Sequence, residues 1–141
     1  MKVFVDANVL VSVLNKEYPL FAYSSKVLSL NDRPGFNIFT SPVCLAIAFY
    51  FSEKKNGNEL TRKKMQILSR NISITSMGND IVERTLSDRR IHDFEDGLEY
   101  YSALGAGCRS IVTEDIGDFY FSVIEVLTTR DFLLKYSGKQ D

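Results

Sequence analysis

The chemistry-bearing residues of this chain are carboxylates, and they are clustered. Asp6 ends the apolar run of KVFVD. Asp93, Glu95 and Asp96 open a helical stretch, and Asp115 and Asp118 follow the apolar segment Ser110-Ile111-Val112 in SIVTEDIGDF. Acids brought together repel one another unless a cation or a shared proton offsets the repulsion. Hard oxygen donors suit Mg²⁺ or Mn²⁺, so a metal-dependent catalytic site is the expectation. Each cluster alone has an ordinary explanation: an Asp after a strand caps a helix, acids in a first turn are favoured by the helix dipole, and the last segment reads as an Asx-type loop. Their joint placement at predicted strand and helix ends is what singles them out.

The elements that must position these groups alternate between short apolar strands and helical stretches, which predicts an α/β fold with a mainly parallel sheet. Val3-Phe4-Val5 is continuously apolar, as a strand covered on both faces must be. Strands are expected at 2–5, 37–39, 72–74, 110–113 and 124–127, and helices at 7–14, 19–30, 42–55, 59–69, 80–87, 94–106 and 131–136. Ser41-Pro42 reads as an N-cap followed by a first helical residue, and the helix after it as largely buried. Ligands in open α/β sheets bind beyond the carboxyl ends of the strands, where Asp6, Asp115 and Asp118 fall. Asn8 is placed to orient Asp6. Asp96, near its helix start, is placed to point at the same sheet edge, whereas Glu95 lies about 100° around that helix. Leu98, Tyr101, Ala103, Leu104 and Phe94 are the positions expected to face the core.

With 141 residues and 45% hydrophobic residues, the chain reads as one domain, 1–141. A domain of that size needs no disulfide or structural zinc, and Cys44 and Cys108, without Cys-x-x-Cys spacing, read as buried thiols of a cytoplasmic protein. No signal peptide is visible, and the apolar stretch 42–51 is too short to span a bilayer. The net charge of −1 hides an asymmetry. Lys54, Lys55, Arg62, Lys63, Lys64 and Arg70 dominate 53–70, whereas 93–118 holds seven acids and one base. A basic helical face beside an acidic pocket suits a metal site that handles a polyanion; it is equally the solvated side of a helix. The lone His92 excludes a Ser-His-Asp triad, and no Gly-rich phosphate loop is present.

In combination, VDANVL at the start, DFEDGLEYYSALGAGCRSIVTEDIGDF in the second half and TTRDFL near the end resemble the PIN domain family over nearly the whole chain. The likeness is greatest to members with an Asp-Phe-Glu-Asp helix start and an Ile-Val-Thr strand. The resemblance implies a three-layer α/β/α sandwich, with Asp6, Asp96 and Asp118 as metal ligands, Asp115 close by and Thr113 as a polar contact. It further implies a ribonuclease acting on RNA phosphodiesters through Mg²⁺ or Mn²⁺. By the same resemblance the protein is the toxin half of a VapC-type toxin–antitoxin pair, a homodimer blocked by a small antitoxin. Lys54, Lys55, Arg62, Lys63 and Lys64 would hold the RNA. One departure stands out: family members usually carry a Glu in the helix after the second strand, and here that position falls at about Ile47. Glu95 is the candidate to compensate. Ile47 also supports a second reading, a catalytically silent PIN fold that binds protein or RNA. A phosphoacceptor site at Asp6 is disfavoured, since Asn8 stands where a second acid is needed.

Overall fold

The computed structural model describes residues 1–137; positions 138–141 of the expected domain span lie outside the described residues. Strands β1 (Lys2–Val5), β2 (Asn37–Thr40), β3 (Ser73–Ile74), β4 (Ser110–Val112) and β5 (Glu125–Leu127) form one sheet in the order β3-β2-β1-β4-β5. Every pairing is parallel, with Val3 opposite Ile38 and Phe4 opposite Ile111. Val3, Phe4 and Val5 are wholly buried, which is why the central strand is apolar on both faces; each such side chain contributes roughly 1.5–3 kcal/mol.

The helices are α1 (Ala7–Leu14), α2 (Leu20–Ser29), α3 (Pro42–Asn56), α4 (Asn58–Arg70), α5 (Asn79–Ser87), α6 (Phe94–Gly105) and α7 (Thr129–Tyr136). Right-handed crossovers put the connections that step outward, β1 to β2 to β3, on one face of the sheet. The α5–α6 connection steps back to β4 and therefore lies on the other, giving the three layers. Because the strand order reverses at β1, a crevice opens between the carboxyl ends of β1 and β4. α3 and α6, from opposite layers, touch each other.

Local signals explain the boundaries. Ser41 caps α3 by accepting from the Cys44 N–H at 3.0 Å. Gly57, at φ +82°, makes the left-handed break between α3 and α4. Gly97 serves a different purpose: a Cβ there would sit 2.5 Å from Thr85 Cγ2, so only glycine lets α5 close on α6 and fix the helix that carries Asp96. Two expectations change. α3 is not largely buried: only Cys44, Ala48 and Ser52 are, while Tyr50 and Phe51 are 53% and 48% exposed. Its apolar run goes all the way round the helix, and only one stripe reaches the core. Phe94 is exposed rather than core-facing, and Tyr100 takes the buried place on α6.

Candidate metal centre

The carboxylates converge at the β1–β4 crevice. Asp6 follows β1 directly and caps α1, Oδ1 accepting from the Ala7 N–H at 2.6 Å. Its other oxygen accepts from the Thr113 hydroxyl at 2.8 Å and from the Asn8 amide at 3.4 Å. Capping and site-building are thus one geometry: the turn that starts α1 also holds the Asp6 carboxylate at the sheet edge. Thr113, wholly buried after β4, accepts from the Asp115 N–H at 3.0 Å. The Asn8 amide also donates to Thr113 at 3.0 Å and to Asp115 Oδ2 at 3.2 Å, and its carbonyl accepts from the Glu114 N–H at 3.2 Å. This network sews the β1 and β4 ends together and aims Asp6 and Asp115 into one pocket.

The opposite wall comes from α6. Asp93 caps that helix by accepting from the Glu95 N–H at 2.9 Å, and Asp96 and Glu95 line the same pocket of about 430 Å³ as Asp6, Asp115 and Asp118. Asp118 sits in the single 3₁₀ turn Ile116–Phe119 that the acidic segment forms. The angular separation of Glu95 and Asp96 on the helix does not keep them apart. Oxygens of Glu95, Asp96 and Glu99 lie within 4.8 Å of one another, because long Glu side chains reach along the helix surface. The charges respond to the crowding. Burial, then Asp93, Asp118, Asp6 and Glu95, push the Asp96 carboxyl up to about 7. Burial and then Asp115, Asp6 and Asp93 raise Asp118, and burial with Asp93 and Asp6 raises Glu95.

Three placements were not read from the sequence. Glu99 is 1% exposed and lies against Asp6 and the Cys44 thiol; burial and then Asp6 push it up to about 11. Its spacing of three and four from Asp96 and Glu95, one face of a helix, was the available signal. The Cys44 thiol, buried as expected, points its sulfur at Asp6 Oδ1 at 3.9 Å. Glu114, counted among the acids, turns away and accepts from the Thr129 N–H and hydroxyl at 3.0 and 2.8 Å, bracing the start of α7. Ile47 does line the pocket, so the wall that would carry the α3 acid is apolar.

The basic residues divide. Lys55 and Lys64 donate to the Asn15 and Leu14 carbonyls, each at 2.8 Å, tying α3 and α4 to the carboxyl end of α1. Lys54 lies 4.3 Å from the Tyr50 ring centre, Arg62 donates to Asn58, and Lys63 stands 4.0 Å from Glu59, all three exposed.

A sequence model of the PIN domain matches residues 2–117. The chain is 28% identical over 140 residues to ribonuclease VapC1 of Aquifex aeolicus, covering 96% of both chains. Solved structures superpose on it closely. The VapBC2 complex of Rickettsia felis, bound to a promoter DNA fragment, matches with a TM-score of 0.69 at 19% identity, covering 90% of this chain and 97% of the other. The sarcin–ricin-loop-cleaving toxin VapC20 of Mycobacterium tuberculosis matches with a TM-score of 0.61 at 16% identity, covering 77% and 86%. The chain belongs to the PIN domain family, and its likeness within that family is to VapC-type ribonucleases.

Proposed function

We propose that the protein is a metal-dependent endoribonuclease, acting as one domain and forming the toxin half of a toxin–antitoxin pair in the cytoplasm. The observation that carries the reading is the convergence of Asp6, Asp96, Asp115, Asp118 and Glu95 from three separate elements on one pocket, where burial and then mutual repulsion raise Asp96, Asp118 and Glu95. Such a donor set, all oxygen and with no Lys or Arg lining the pocket among the described residues, fits a hard divalent cation. Asp6, Asp96 and Asp118 would hold Mg²⁺ or Mn²⁺, with Asp115 and Glu95 at its edge. When bound, the ion supplies an activated water and charge stabilisation at the phosphodiester.

The chain's own residues set the geometry. Asn8 and Thr113 fix the Asp6 and Asp115 carboxylates through the bonds described above. Lys54, Arg62 and Lys63, being exposed, would meet RNA phosphates, while Lys55 and Lys64 would do so only by releasing helix-end carbonyls. The antitoxin reading rests on the VapBC neighbours. A concave apolar surface of about 320 Å³ between α1, α2 and α4, lined by Val13, Phe21, Leu28 and Ile67 among others, would accept the apolar side chains of such a partner. A homodimer is part of the same proposal. No helix of the described residues is long and apolar enough to cross a membrane.

Ile47 in the pocket wall favours a second reading, a silent fold that binds RNA or protein without cutting. Purified protein and Asp6→Asn, incubated with a structured RNA pool with and without Mn²⁺, separate the two. Cleavage that requires both Mn²⁺ and Asp6 is expected. Folded, antitoxin-free protein that leaves the RNA intact would establish the silent fold.

A further inference from the structure

By the family resemblance the usual acid on α3 falls at about Ile47, which lines the pocket, yet the pocket does not lack a deep carboxylate. We infer that Glu99, on α6, is a metal ligand of this site and supplies from the opposite layer the charge that α3 does not. The inference rests on the metal-dependent reading above.

Three features of the pocket carry it. Glu99 belongs to both potential ligand groups of the site, one with Asp6 and Cys44 and the other with Glu95 and Asp96, so it bridges the β1 edge and the α6 edge. It is also 1% exposed, and its Oε1 is, among the described residues, a buried side-chain oxygen without a hydrogen-bond partner. Leaving such an oxygen unsatisfied costs about 1–3 kcal/mol, more when it is charged, and a cation in the pocket would relieve that cost. Finally, Glu99 and Ile47 line the same pocket, so α6 delivers a carboxylate to the space that an α3 acid would share. Cys44 is not counted among the ligands. Burial and the neighbouring Glu99 and Asp6 hold its thiol well above the usual range, and as a neutral S–H it donates toward Asp6, whereas hard cations favour oxygen.

The alternative role for Glu99 is positioning alone: a neutral acid donating a hydrogen bond to Asp6 without touching the ion. Glu99→Gln separates the two, because the amide still donates but brings no charge. Mn²⁺ affinity would be measured by electron paramagnetic resonance on wild type, Asp6→Asn, Glu99→Gln and Ile47→Glu/Glu99→Gln, with circular dichroism as the folding check. The ligand assignment predicts weakening of about 10- to 100-fold or more in Glu99→Gln and recovery of most of that loss when the acid is restored on α3. Wild type that binds Mn²⁺, loses it in Asp6→Asn and keeps it in Glu99→Gln would overturn the ligand assignment while leaving the metal-dependent reading intact. Wild type that binds no Mn²⁺ would overturn both. Should Glu99→Gln fail to fold, wild-type protein carrying ¹³C-labelled Glu carboxyls decides the matter. With diamagnetic Mg²⁺ in place of Mn²⁺, the Glu99 carboxyl signal must move to an ionised, metal-bound position at one equivalent, and a signal that stays at its neutral-acid position would refute the ligation.

Discussion

The two sides of the pocket are built on opposite principles. On the β1–β4 side, Asp6 accepts hydrogen bonds from a backbone N–H, a threonine hydroxyl and an asparagine amide, and Asp115 is held by Asn8. On the α6 side, Asp96 is pushed up by burial and by other acids, with no hydrogen bond from the described residues offsetting them, and Glu99 leaves one oxygen unpartnered among those residues. One side is rigid before any ligand arrives. The other is strained electrostatically and waits for a positive charge. On the proposed metal-dependent reading, such a site would gain both precision and affinity: the fold would fix where an ion sits, and the burial and repulsion on α6 would make its arrival favourable.

Substitutions on the two sides of the pocket should act with graded strength. The largest effect is expected from Asp6→Asn, which removes a charge from the rigid side while keeping its shape. RNA cleavage should fall by ~1,000-fold or more, the loss of several kcal/mol of transition-state stabilisation. Thr113→Val comes next. It deletes the hydroxyl that bridges Asp6 and the Asp115 N–H while preserving volume, and it should cost about 1–3 kcal/mol in urea unfolding and about 10- to 100-fold in Mn²⁺ affinity. If Thr113→Val left metal affinity unchanged, the rigid side would not depend on its network. Smaller still is the contrast between two lysines. Lys64→Ala should destabilise by about 1 kcal/mol, since its ammonium holds the Leu14 carbonyl at the end of α1. Lys63→Ala should stay within about 0.5 kcal/mol of wild type but lower the salt dependence of RNA binding by about one phosphate contact. The reverse assignment, with Lys64 setting the salt slope, would contradict the division of the basic helices.

The rigid side was legible in the sequence and the strained side only partly so. β1 could be read because Val3-Phe4-Val5 is apolar without alternation, whereas Asp6, which alone reads as a helix cap, stood out only together with the acids at 93–96 and 115–118. Ser41-Pro42 marked the start of α3 through local cap chemistry, which needs no tertiary information. The family resemblance put the usual α3 acid at about Ile47, and Ile47 lines the pocket. Glu99 escaped because it sits among Leu98, Tyr100 and Tyr101 and counts in a sequence as one more surface acid. Only the packing of α6 against α3 and the acidic turn Ile116–Phe119 turns it inward. The burial of α3 was over-read for the converse reason: Tyr50 and Phe51 are apolar, but the helix has one face against the core and no second layer to cover the rest.

The claim that the α6 side waits for a cation is tested most directly by thermal unfolding at about pH 5 and about pH 7.5, with and without Mn²⁺. A carboxyl whose folded-state value is raised, as for Asp96 from 3.8 to about 7, binds its proton more tightly in the folded protein. Metal-free stability must therefore fall as the pH rises between about 4 and about 7. Mn²⁺ at 100 times its dissociation constant should return about 2.7 kcal/mol at the higher pH, a rise of several degrees for a chain of this size, and should do little at pH 5, where Asp96 is protonated. The account predicts a midpoint that falls with pH without metal and recovers with Mn²⁺. A midpoint independent of both pH in this window and Mn²⁺ would contradict it.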